Sequence, residues 1–163
     1  MNQQNRNYGG ARPQQTRNQG SQSGYSKQFA KPKLPEKYLQ GGYFDEKGNK
    51  RKELYLDWAM EIAENLRIAK MTPNALRRYY NQIKNIASIV NGKEQLFEER
   101  KSELFRLQAL VFNASKKNDS STPELMNEFI DINIKQAEQS LKCLQAFVEH
   151  FECVVAYFKE RER

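Results

Sequence analysis

The sequence contains one histidine, His150, and two cysteines among 163 residues. A histidine metal cluster or a Ser-His-Asp triad therefore has almost nothing to draw on, and His150 reads as a partly buried helix residue. Cys143 and Cys153 fall on one predicted helix, separated by about 15 Å of rise, too far to bridge. They read as small buried hydrophobes. No apolar run approaches the roughly 18 residues of a spanning helix, and the start lacks the apolar stretch of a signal peptide. The expected compartment is the cytoplasm, with no membrane partner. Gly41-Gly42 has no strand run before it and no glycine-lysine-threonine ending after it, which excludes a phosphate loop. Glu98, Glu99 and Glu103 alternate with Arg100, Lys101 and Arg106 as an ordinary solvated face. Nothing specifies an active site, a cofactor or a metal, so the expectation is a non-enzyme.

A second absence is local. From Glu64 to Glu94 there is no intervening Asp or Glu, while Arg67, Lys70, Arg77, Arg78, Lys84 and Lys93 all fall there. The formal charge of +7 is accordingly uneven. Residues 1–37 carry seven Lys/Arg against Glu36, residues 38–64 are net acidic, and so is the stretch from Glu94 onward. Charge confined to a tail and one helix points to a polyanionic partner at those places.

That helix is well punctuated. Thr72-Pro73 is a start, with threonine as cap and proline at the first helical position; Asn91-Gly92 is a stop. Leu76, Tyr79, Tyr80, Ile83, Ile86, Ala87 and Val90 recur at three- and four-residue spacing and form a core-facing stripe. At about 100° per residue, Arg77, Arg78, Asn81, Lys84, Asn85 and Ser88 share a sector about 120° wide. Arg and Lys with neutral amides suit a phosphate backbone, and the same face also suits a merely solvated surface.

Residues 1–37 read as a low-complexity, basic, mostly disordered leader, too poor in apolar residues to offset chain entropy. Residues 38–163 read as one helical domain. Its first helix is predicted over residues 51–69, with Trp58 as a core anchor, and the third over 93–117. The third carries apolar residues around so much of its circumference that it is expected to be central. After a polar loop, Thr122-Pro123 should repeat the Thr72-Pro73 start, and the last helix is predicted unbroken over 123–160. The fold class is all-α, a small antiparallel bundle of about four to five helices.

The stretch MTPNALRRYYNQIK, Met71 to Lys84, resembles the small subunit of type III-A CRISPR effector complexes. So do the basic leader, the Gly-Gly-Tyr-Phe-Asp stretch, the polar loop after the third helix and the long closing helix ending FECVVAYFK. The resemblance implies a non-catalytic all-α protein that stacks in several copies beside backbone and large subunits, along guide RNA paired with target RNA. It implies phosphate contact for Arg77, Arg78 and Lys84, and less directly for Lys70, Lys116 and Lys117. Where relatives often have lysine midway along the third helix this chain has Gln108, and Lys117 stands where arginine often follows that helix. Base pairing would read the sequence, leaving the protein to recognise shape and charge. Two other readings remain: a protein-only helical adaptor, and a free-standing sequence-independent RNA-binding protein. A helix-turn-helix regulator fits less well, because residues 69–72 contain no glycine for a tight turn.

Overall fold

The computed structural model describes residues 31–117 and 121–160. The expected disorder of the leader falls on residues outside these, except for 31–37, where Leu34 packs on the core and Pro35 is buried. Five α-helices follow a 3-10 turn at Lys52–Leu54: α1 (Asp57–Ile68), α2 (Pro73–Val90), α3 (Glu94–Ser115), α4 (Glu124–Ala137) and α5 (Leu141–Glu160). Among the described residues no strand forms; the backbone makes a single bridge between Phe44 and Lys50. Asp45 closes the intervening turn by accepting from the amides of Lys47 and Asn49 at 2.9 and 2.8 Å.

The punctuation of α2 is as predicted. Thr72 Oγ1 accepts from the amide of Ala75 at 3.3 Å, Pro73 opens the helix, and Asn91 takes φ +45° just beyond it. The end of α1 is less expected. The amide of Lys70 donates to the Arg67 carbonyl and that of Met71 to the Leu66 carbonyl, both at 2.9 Å, with Lys70 at φ +66°. These are the paired bonds of a left-handed helix stop. A tight turn therefore forms without glycine, held by burial of Leu66 and Met71 on either side of it.

Several expectations are overturned. The closing helix is not continuous: it breaks at residues 138–140, where Ser140 Oγ accepts from the amide of Cys143 at 3.2 Å and caps a new helix. Nor is α3 central. Helix α5 packs on α1, α2 and α4, whereas α3 packs on α2 and α4 alone among its principal contacts and leaves Phe105, Leu110 and Phe112 exposed. Thr122-Pro123 also departs from the Thr72-Pro73 pattern. Pro123 precedes the helix and the Thr122 hydroxyl bonds Tyr79 Oη at 2.9 Å.

Successive helices alternate in direction. Lys116 meets Glu124 and Gln108 meets Asp131 between α3 and α4, while Arg78 and Lys117 share a groove between α2 and α3. An odd number of alternating helices makes the first and last parallel. His150 Nδ1 bonds the Leu54 carbonyl, and Arg67 near the end of α1 bonds the Phe158 carbonyl near the end of α5.

The core centres on Phe129, whose ring lies 5.1 Å from Phe151, 6.1 Å from Phe147 and 5.8 Å from His150. His150 is fully buried. A polar chain crosses this core: Asn133 Nδ2 donates to Tyr38 Oη (2.8 Å), which meets His150 Nε2 (2.7 Å), while Nδ1 lies 2.6 Å from the Leu54 carbonyl. Tyr43 Oη donates to Asn133 Oδ1 at 2.8 Å. Every polar atom is satisfied with neutral His150 protonated on Nδ1. The chain ties residues 38–54 to α4 and α5, as does Glu149, which accepts from Lys50 Nζ and Tyr55 Oη. Trp58 is half-buried, edge-on to Tyr38. Both cysteines are free and only half-buried, at the margin of the core and not inside it.

Candidate nucleic-acid interface

Because Leu76, Tyr79, Tyr80, Ile83 and Ile86 are buried, the helical period turns the basic sector of α2 outward. Asn74, Arg77, Arg78, Asn81, Gln82 and Asn85 line a shallow groove of about 480 Å³. Arg78 is held from below: its guanidinium lies 5.0 Å from the centroid of the Tyr79 ring and Nη2 donates to Tyr79 Oη at 3.1 Å. Tyr79 is itself fixed by Thr122. A guanidinium has five N–H donors, so this anchor leaves Arg78 capable of gripping a phosphate.

Lys117 approaches from the end of α3, sharing a second groove with Arg78, Tyr79, Gln82, Leu110, Asn113 and Ala114. The fold thus joins Arg77, Arg78 and Lys117 through two adjoining grooves. Lys84 lies farther along α2, exposed, with Nζ 5.5 Å from the centroid of the Tyr80 ring. Burial raises the pKa of the Tyr80 hydroxyl, so it stays protonated near neutrality. Among the described residues Arg77, Arg78 and Lys84 form no ion pair, leaving their charge unneutralised by carboxylates at contact distance.

The remaining positions differ. Lys116 Nζ is 3.0 Å from both carboxylate oxygens of Glu124, so an anion would have to compete with that carboxylate. Lys70 is exposed in the left-handed turn before α2, away from the residues lining either groove. Gln108 donates to Asp131 of α4 and faces that helix. Sequence reasoning missed Asn74 and Gln82. Gln82 lies at the border of the apolar stripe, and only the approach of α3 makes it part of both grooves.

A family model described as Csm2 Type III-A matches residues 49–163. The chain belongs to the Csm2 Type III-A family. As a Csm2-family protein it is a structural small subunit of the type III-A effector complex, a multi-subunit assembly of CRISPR defence. No match is found among curated proteins or among solved structures. The matched span contains all five helices and the whole basic face of this Csm2-family chain. Among the described residues no helix is long and apolar enough to cross a membrane.

Proposed function

We propose that this Csm2-family subunit is a non-catalytic RNA-backbone clamp, contributed in several copies beside the backbone and large subunits of the complex in the cytoplasm. It contacts guide RNA paired with target RNA through Arg77, Arg78 and Lys84, extended by Lys117, with Lys70 and Lys116 at the margins. The observation that carries this reading is the groove of α2, where cations without carboxylate partners alternate with neutral amides and Arg78 is anchored by a buried tyrosine. Such a surface recognises phosphate spacing and charge and leaves base sequence unread. The only histidine supports a non-catalytic role, since both its ring nitrogens are engaged inside the core.

Each alanine substitution at Arg77, Arg78 or Lys84 is expected to weaken RNA binding about equally across sequences. Each should also lower the slope of log affinity against log salt by roughly 0.7 to 0.9. Stability should stay within about ±0.5 kcal/mol for these surface changes. Salt titrations with duplex and single-stranded RNA, beside circular dichroism melts, measure both. A folded triple variant with an unchanged slope would assign the face to solvent and favour the protein-only adaptor.

A further inference from the structure

The cations of the α2 face suit phosphate, and phosphate is common to RNA and DNA. Selection of ribose needs groups of another kind, and these lie where α2 and α3 face each other. Beside the two grooves already described, a third of about 240 Å³ runs along the same helices, with Gln82, Asn85, Arg106 and Leu110 in its lining. Gln82 lines all three grooves, and Leu110 lines two of them.

The spacing explains why. On α2, Arg78, Gln82 and Asn85 follow at four- and three-residue steps; on α3 and just beyond it, Arg106, Leu110, Asn113 and Lys117 follow at steps of four, three and four. Each set is one helical stripe, and the antiparallel pairing sets the two stripes side by side as the walls of one trough.

The trough is basic at its ends and neutral between them. Arg78 and Lys117 stand at one end. Arg106 stands at the other, about three helical turns from Lys117, exposed and without an ion pair among the described residues. Glu103, at the Arg106 end, is held by Arg100 at 2.6 Å. The middle holds Leu110, 55% exposed, and the amides of Gln82, Asn85 and Asn113. Among the described residues none of these side-chain amides has a hydrogen-bond partner. Gln82 is half-buried beside Tyr79, Ile83 and Ile86, which are buried, so the base of its side chain is held while its amide is open to a bond from outside the chain.

A cation, then neutral donors and acceptors beside one apolar side chain, then a second cation: this is the order of phosphate, ribose and phosphate along a nucleic-acid strand. A side-chain amide both donates and accepts. So does the ribose 2′-hydroxyl, the group by which a protein distinguishes RNA from DNA at a given site. In an A-form helix these hydroxyls line the wide, shallow minor groove, open to a side chain that approaches the backbone. Leu110 suits the C–H face of the same sugar.

We infer that Gln82 is a specificity-determining residue that exchanges hydrogen bonds with a ribose 2′-hydroxyl, making the trough between α2 and α3 selective for RNA over DNA. The inference rests on the RNA-clamp reading and adds to it what phosphate contacts cannot supply. A deoxyribose in the same place leaves the Gln82 amide facing a methylene, and that lost pairing, with no difference in charge, sets the preference.

Binding of the full chain to an RNA duplex and to its 2′-fluoro counterpart of the same sequence tests this. The two carry the same charge and the same A-form pucker, and the fluoro duplex has no 2′-hydroxyl proton to give. Wild type should bind RNA roughly two- to tenfold tighter, the range of one net hydrogen bond, with equal slopes of log affinity against log salt for the two ligands. Gln82→Met, which keeps the length of the side chain and removes its amide, should bind both alike and keep the wild-type slope. A melt of the variant beside wild type checks its fold, and the comparison of ligands in wild type stands without any variant. Equal affinity of wild type for the two duplexes would overturn the inference and leave the clamp reading intact. A preference kept in Gln82→Met would assign the hydroxyl to another group. A lowered salt slope in that variant would make Gln82 a support of the phosphate contacts, and either result overturns its role here. Wild type that binds neither duplex, even at low salt, would remove the clamp reading and this one together.

Discussion

Replacing Phe129 with alanine is expected to destabilise the bundle by about 3–5 kcal/mol, the range for emptying a large aromatic site in a packed core. Phe129 has no exposed surface and lies against Tyr38, Phe147, His150 and Phe151. These come from two parts of the chain, the segment before the first helix and α5, which Phe129 joins to α4. The cavity would also open beside the polar chain through Asn133, Tyr38 and His150, where loss of dry packing weakens the hydrogen bonds it surrounds. Thermal melts should fall by about 10 °C or more. Phe129→Leu, which keeps most of the volume, should recover much of that loss. An alanine variant melting within a few degrees of wild type would mean that the aromatic cluster is not the centre of the fold.

Acidification should destabilise the protein well before carboxylates are protonated. Burial lowers the pKa of His150 from 6.5 to about 4, and the bond to the Leu54 carbonyl only partly opposes this. The unfolded chain therefore binds the proton first. The stabilisation is complete above pH 6.5 and is lost progressively as pH falls toward 4. It amounts to about 3 kcal/mol, since each tenfold difference in proton affinity between folded and unfolded chain is worth about 1.36 kcal/mol. The arrangement of donors acts in the same direction as burial. A second ring proton on Nε2 would face Tyr38 Oη, which already accepts from Asn133 and whose own proton would then lack a partner. Glu149 has a lowered pKa, its bonds from Lys50 and Tyr55 outweighing the opposing effect of burial, so the interval from about pH 6.5 to 5 reads mainly His150. Urea unfolding across that interval should show the loss in wild type and a flat profile in His150→Gln. Equal slopes in both proteins would move the effect elsewhere.

The helix carrying the candidate interface was legible because its signals are local. Thr72, Pro73 and Asn91-Gly92 fix its ends by backbone chemistry alone, and its stripe of Leu76, Tyr79, Ile83 and Ile86 is one-sided. The orientation of Arg77, Arg78 and Lys84 follows from that stripe. What was not legible depends on distant parts of the chain. Residues 138–140 contain neither glycine nor proline, and the apolar spacing runs on across the break, so Ser140 was the only sign of a new helix. The apolar residues of α3 suggested a central position, yet Phe105 and Phe112 face outward; a count of apolar positions does not distinguish a buried face from an exposed one. His150 read as a partly buried helix residue, and its full burial was not legible because its partners, Tyr38 and the Leu54 carbonyl, are about a hundred positions away. Lys117 acquires its place beside Arg78 only through the antiparallel pairing of α2 and α3.

The position of α5 bears on how the protein is made. It is the last of the five helices to leave the ribosome, yet it is the common partner of α1, α2 and α4. Until it emerges, the apolar stripes of those helices have no shared surface to close upon. The pairing of α1 with α5 also closes the longest loop among the helix pairs in contact. Nascent chains stalled before residue 141 should accordingly remain sensitive to protease, while those with residues 141–160 clear of the exit tunnel become resistant. Folding in this sense waits on the last of the described helices, which closes the surfaces that the earlier ones leave open.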